Sequence, residues 1–104
     1  VEGRTAVMID DIVDTAGSLT EGANALIKSG AKEVYACCTH GVLSDPAVAR
    51  IKASVIKELV ITNTIPLPPE KHIDKIKILS MAPLLGEAIL RIFSELPVSK
   101  MFEE

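Results

Sequence analysis

The sequence predicts an α/β fold in which strands and helices alternate to build a mostly parallel sheet. Short apolar runs recur along the chain, and each is followed by a stretch with the apolar spacing of a helix. Gly, Ser and Pro residues stand at the joints between them. Of 104 residues, 48% are hydrophobic and 24% charged, which supplies one buried core and excludes a disordered chain. No internal repeat or linker interrupts the alternation, so residues 1–104 read as a single domain. Position 1 is Val and no signal peptide is evident, from which the chain is expected to be a piece of a longer protein.

Ala6 to Ile9 read as the first strand, continuous in apolar residues like a parallel strand covered on both faces. A helix is predicted to begin near Ser18, because Ser18 and Glu21 have the spacing of a capping box. Leu19, Ala23, Leu26 and Ile27 form its apolar face, which stops at Ser29-Gly30, where Gly30 suits the position just past a helix end. Val34 to Thr39 make the second strand. Ser44-Asp45-Pro46 open a second helix, with Pro near its first turn and Val48, Ile51 and Ile56 facing inward. Leu59 to Thr62 are the third strand and Ile76 to Leu79 the fourth. Leu84, Leu85, Ala88, Ile89 and Ile92 stripe a last helix capped by Ser80. Right-handed crossovers would bring the carboxyl ends of all the strands to one edge.

Composition narrows the function. A formal net charge of -3 and 3% aromatic residues leave neither a basic stripe nor a stacking platform for nucleic acid. No apolar run reaches the length of a membrane span. Cys37 and Cys38 are adjacent in a strand, so their side chains point to opposite faces, poorly placed to bridge each other or to chelate a metal. They read as buried free thiols of a reducing compartment, the cytosol or a similar organelle.

The run from Val7 to Ser18 carries the chemistry. An apolar strand ends in Asp10 and Asp11, and after Ile12 and Val13 a small, hydroxyl-bearing turn, Asp14-Thr15-Ala16-Gly17-Ser18, opens a helix. Such a turn lies at the carboxyl edge of the sheet, where open α/β folds bind ligands. The amides of Ala16, Gly17 and Ser18 would face the turn unpaired and attract an anion. Thr15 and Ser18 add hydroxyl donors, while Ala16 and Gly17 let a phosphate approach the backbone and Gly17 tolerates positive φ. Asp10 and Asp11 stand about one ribose ring away, where carboxylates accept from a vicinal diol or hold Mg²⁺ through its waters. Acids around an anion repel it, so Mg²⁺ is expected with the ligand. A plainer reading of Ser18 and Glu21 alone is a helix cap.

This stretch resembles the phosphoribosyl-diphosphate loop of the type I phosphoribosyltransferase fold: two acids, two variable residues, an acid, then a Thr/Ser- and Gly-rich turn. The resemblance continues through Gly30 to Ala36, Thr39 to Ser44, Thr62-Asn63-Thr64-Ile65-Pro66, and Glu87 to Phe102. Together these are similar to the carboxyl-terminal part of ribose-phosphate diphosphokinases, which make phosphoribosyl diphosphate. The resemblance implies that Asp10 serves the ribose of ribose 5-phosphate and Asp14, Thr15, Ala16, Gly17 and Ser18 its 5-phosphate. Asp11 matches the second acid of the pair. It further implies transfer of diphosphate from ATP to ribose 5-phosphate, with Mg²⁺ as cofactor and no direct metal ligand assigned on this chain. ATP contacts would come from an amino-terminal part, the full-length protein would form homo-oligomers, and no nucleic acid or membrane partner is implied. Two alternatives stay open: a phosphoribosyltransferase using phosphoribosyl diphosphate, and a non-catalytic regulatory subunit associated with the synthase.

Neither a Gly-x4-Gly-Lys-Ser/Thr loop nor a Gly-x-Gly-x-x-Gly fingerprint occurs. Cations are sparse near the turn, since Lys28 is the first after Arg4. Thr39-His40 and Asn63-Thr64 should lie at the same edge as Asp10, with His40 reading as a turn histidine more readily than an acid-base catalyst. His72 falls in a Pro-rich loop. Val98 to Phe102 carries apolar residues able to dock on a neighbour, and Glu103-Glu104 reads as a solvated tail.

Overall fold

Alternation of β-branched runs with amphipathic segments produces four parallel strands hydrogen-bonded in chain order. The computed structural model describes residues 2–102. Strand β1 spans Thr5–Val13, helix α1 Gly17–Lys28, β2 Glu33–Gly41, α2 Ala47–Ala53, β3 Ile56–Thr62, β4 Ile76–Leu79 and α3 Ala82–Phe93. Short 3-10 turns occur at Pro69–Lys71 and Val98–Phe102. The sheet order is β1-β2-β3-β4, every pairing parallel, as the alternation predicts. Glu103-Glu104 lie outside the described residues.

The core lies on one face of the sheet. Val34, Ala36 and Cys38 of β2 alternate onto it beside Leu59 and Ile61 of β3. Leu19 and Ala23 of α1, with Ala47 and Ile51 of α2, cover them. Helix α1 ends as Gly30 implies. Gly30 has φ 102, its N–H donates to Ile27 O and the Ala31 N–H donates to Leu26 O, the paired bonds of a Schellman turn.

Two expectations fail for one reason. Strand β1 is not covered on both faces: Ala6 and Met8 pack on the core, but Val7 is 57% and Ile9 84% exposed. It is an outer strand that pairs with β2 alone, and alternate residues point away from the layer formed by α1 and α2. The stripe of α3 is likewise uncovered, with Leu85, Ile89 and Ile92 all exposed. Helix α3 follows the other outer strand and packs mainly against the turn at Val98–Phe102. Apolar spacing specifies a helix with one greasy side, not the partner that side meets. Ser80 does help to open α3, its hydroxyl accepting from the Ala82 N–H at 3.1 Å.

At the end of β2 the backbone passes close to β3. A Cβ built on Gly41 would stand 2.8 Å from Ile61 Cδ1 and 3.1 Å from its Cγ2, both atoms of a side chain that is 1% exposed. Gly41→Ala is therefore expected to destabilise the fold by about 1–3 kcal/mol through overpacking. Urea denaturation monitored by circular dichroism measures this directly, and an unchanged midpoint would show that β2 and β3 separate freely.

Candidate functional site

Strand β1 runs four residues beyond the predicted Ile9, so Asp10 and Asp11 belong to the strand rather than to a turn after it. Pairing with β2 holds this segment in place, Asp10 opposite Cys38, Ile12 opposite His40 and Val13 opposite Gly41. The Asp10 side chain is further fixed by its own neighbour, Oδ1 accepting the Asp11 N–H at 2.7 Å. The chain then turns through Asp14 and Thr15 to Ala16, which takes the left-handed conformation with φ 64 and ψ 12. Helix α1 begins immediately afterwards at Gly17.

Sequence reasoning offered Gly17 as a residue tolerant of positive φ and a capping-box spacing at Ser18 and Glu21. The structure corrects both. The left-handed residue is Ala16, and Ser18 lies inside the first turn of α1 with no side-chain cap bond at the helix start. The hydroxyl that serves the turn is that of Thr20, which donates to Ala16 O at 2.8 Å and lies 3.1 Å from Gly17 O. A helix opening without a side-chain cap leaves its first amides for another acceptor.

These amides border an open cleft of about 240 Å³ lined by Asp10, Ile12, Val13, Asp14, Thr15, Ala16, Gly17, Ser18 and Leu19. Six of the seven residues singled out from the sequence are thus brought together. Asp11 is the exception: it follows Asp10 on the strand, faces the other way by the alternation of side chains, and does not line the cleft. The cleft combines a helix N-terminus, the hydroxyls of Thr15 and Ser18, and the carboxylates of Asp10 and Asp14. A phosphate fits the first two and a diol or hydrated cation the third. Among the described residues no group of three or more His, Cys, Asp and Glu is placed to hold a metal. Asp10 and Asp14 suit Mg²⁺, a cation that keeps several waters and takes one or two carboxylates together with substrate phosphates.

A cation that the sequence did not suggest sits behind the turn. Arg50 of α2 donates from Nη1 to Thr15 O at 3.1 Å, which corrects the expectation of a loop without nearby basic residues. The signal lay in the strand order rather than in local spacing, since α2 follows the strand next to β1 and packs against α1.

The other edge residues interact among themselves. His40 Nδ1 lies 2.7 Å from Thr64 Oγ1, and the hydroxyls of Thr62 and Thr64 both donate to Thr39 O. The ends of β2 and β3 are in this way tied together at the edge that carries Asp10. Asn63 Oδ1 accepts the Met81 N–H at 2.8 Å, joining that edge to the start of α3. His72 is engaged within its own loop, 3.0 Å from Leu67 O.

Cys38 lies opposite Asp10 on the neighbouring strand, and burial pushes its thiol up to about 11, the charge of Asp10 adding to the rise while the backbone at Val13 opposes it. The folded chain keeps this proton where the unfolded chain, near 9.0, loses it, so the contribution of Cys38 to stability declines as pH rises from 9.0 to about 11. Cys38 is 5% exposed and Cys37 only partly buried. Iodoacetamide at pH 8 is expected to modify Cys37 well before Cys38. Peptide mass analysis over time measures the two rates, and equal rates would contradict the burial of Cys38.

A parallel sheet whose first strand turns into an uncapped helix places this chain among the open α/β folds, in which ligands lie at the carboxyl ends of the strands. The family follows from comparison with known proteins: residues 1–103 match the phosphoribosyl synthetase-associated domain, and the chain belongs to that family. A ribose-phosphate pyrophosphokinase of Bacillus cereus is 63% identical over 102 residues, covering 98% of this chain and 32% of the relative. One from Clostridium acetobutylicum is 59% identical over 104 residues, covering 100% of this chain and 33% of the relative. The crystal structure of phosphoribosylpyrophosphate synthetase from Mycobacterium smegmatis superposes with a TM-score of 0.88 at 40% identity, over 91% of this chain and 32% of that one. The chain spans about a third of the length of these relatives. The matches establish family and share of length, and they do not bear out the expected carboxyl-terminal placement. No helix among the described residues is long and apolar enough to cross a membrane.

Proposed function

We propose that the cleft binds ribose 5-phosphate and that the chain contributes this subsite to an enzyme transferring diphosphate from ATP to the sugar's 1-hydroxyl. The observation that carries the reading is the left-handed turn at Ala16, which starts α1 without a side-chain cap over a cleft walled by Asp10 and Asp14. The names of the relatives support the same reaction.

In this reading the 5-phosphate sits on the amides of the first turn of α1 and takes the hydroxyls of Thr15 and Ser18. The Asp10 carboxylate, held by the Asp11 N–H, accepts from the ribose diol. Fixing both ends of the sugar leaves the anomeric oxygen in one place, aligned for the bond to the β-phosphorus of ATP as AMP departs. Diphosphoryl transfer depends mainly on such alignment and on charge neutralisation. Mg²⁺, held through its waters by Asp10 and Asp14, would neutralise part of the phosphate charge. The ATP site and further cations belong to the remainder of the longer protein, assembled as a homo-oligomer.

The test is an assay of the intact enzyme with ATP, Mg²⁺ and ribose 5-phosphate, following AMP and phosphoribosyl diphosphate. Equimolar appearance of the two is the expected result. Sugar-phosphate binding without either product would mark a non-catalytic associated subunit, and turnover of phosphoribosyl diphosphate with a base would mark a phosphoribosyltransferase.

A further inference from the structure

Arg50 touches the phosphate-binding turn without entering its cleft. Its Nη1 donates to Thr15 O at 3.1 Å, and it lines a separate recess with Thr20, Glu21 and Asn24. Gly17 borders both spaces, and a Cβ there would stand 3.1 Å from the same Nη1. The guanidinium is therefore seated against the back of the turn. We propose that Arg50 is a positioning residue for the phosphate loop, holding the Thr15–Ala16 peptide with its carbonyl toward α2 and its amide toward the ligand. The inference rests on the reading of the cleft as a sugar-phosphate site.

The argument begins with the peptide unit. It is planar and trans, so its C=O and N–H point in opposite directions. A carbonyl oxygen turned into an anion site repels the ligand, while the N–H attracts it, and one rotation of this peptide exchanges the two. Ala16, which follows it, has φ 64, a conformation that a Cβ disfavours and that persists only when the surroundings impose it. The bond from Arg50 to Thr15 O and the bonds of the Thr20 hydroxyl and amide to Ala16 O fix the peptides on either side of that residue. A guanidinium is suited to this work because it is permanently charged and offers several donors in a rigid fork. Its charge behind the turn also favours an anion in front of it. Gly17 acquires a second meaning, since its missing Cβ makes room for the guanidinium.

The experiment uses the intact enzyme carrying R50Q, R50K, G17A and the R50Q/G17A pair. R50Q is expected to raise KM for ribose 5-phosphate about tenfold, the effect of losing one charge-assisted bond, while KM for ATP stays as in wild type. R50K, which keeps a charged donor, should recover part of the loss and keeps the proposal testable if R50Q folds poorly. G17A should weaken sugar-phosphate binding in the wild-type background and add little in the R50Q background, because the side chain it crowds is gone. A structural role alone would move thermal stability and leave both the KM split and this coupling unchanged. Wild-type KM for ribose 5-phosphate in R50Q and R50K, or an equal cost of G17A in both backgrounds, would overturn the proposal. Amide shifts of Ala16 to Ser18 on adding ribose 5-phosphate to the wild-type protein separate the two claims. Their absence sinks the cleft reading and this proposal together; their presence with undiminished affinity in R50Q sinks this proposal alone.

Discussion

Gly17→Val lowers the affinity for ribose 5-phosphate by roughly a hundredfold or more, because several losses coincide at one position. The first atom added, Cβ, stands 3.1 Å from Arg50 Nη1, so the guanidinium must withdraw from Thr15 O or the start of α1 must shift. The two methyls beyond it add bulk at a residue that borders both the recess behind the turn and the cleft in front. Valine also restricts χ1 against a helical backbone, so it has few rotamers with which to escape. The amides of Gly17 and Ser18 are the donors that move. Titration calorimetry on the intact enzyme should show the loss for the sugar phosphate while ATP binding and the circular dichroism spectrum stay unchanged. Unaltered sugar-phosphate affinity would remove the anion from this turn.

Asp10→Asn lowers sugar-phosphate use by roughly tenfold to a hundredfold while the fold survives, the scale of losing an ionised hydrogen-bond acceptor, about 1.5–3 kcal/mol. The substitution keeps the shape of the side chain and its oxygen can still accept the Asp11 N–H, now 2.7 Å from Oδ1. What disappears is the second anionic oxygen facing the cleft, the acceptor assigned to the ribose diol or to hydrated Mg²⁺. Asp11→Asn provides the comparison, because Asp11 does not line the cleft and its loss should cost far less. Steady-state kinetics at saturating ATP and Mg²⁺ measure both variants. Wild-type constants in Asp10→Asn would reduce this acid to a strand-end contact.

The four strands and the end of α1 were legible because each rests on local chemistry. Short, largely apolar runs marked all four strands, and Gly30 marked the end of α1 by the φ of 102 that a residue without a Cβ adopts readily. The grouping of Asp10 with Asp14 to Ser18 was equally local, since the cleft wall is carried by residues between Asp10 and Leu19 of one strand–turn–helix unit. Three features were not legible, each for a physical reason. Arg50 reaches Thr15 across 35 residues of chain, a contact set by how α2 packs and not by spacing. The left-handed residue fell on Ala16 rather than Gly17, because Gly17 serves the close approach of a side chain and the turn imposes φ on its neighbour. The exposure of Val7, Ile9 and the α3 stripe depends on which strands are outermost, a property of the assembled sheet that periodicity does not encode.

The central claim is that the turn from Asp14 to Ser18 holds the 5-phosphate of the sugar. It is tested most directly by two-dimensional amide NMR of the wild-type protein titrated with ribose 5-phosphate, with ribose as the control lacking the phosphate. The account predicts the largest shifts at Ala16, Gly17 and Ser18, saturable and competed by inorganic phosphate, with ribose leaving these amides in place. Saturable shifts confined to residues away from this turn would contradict it.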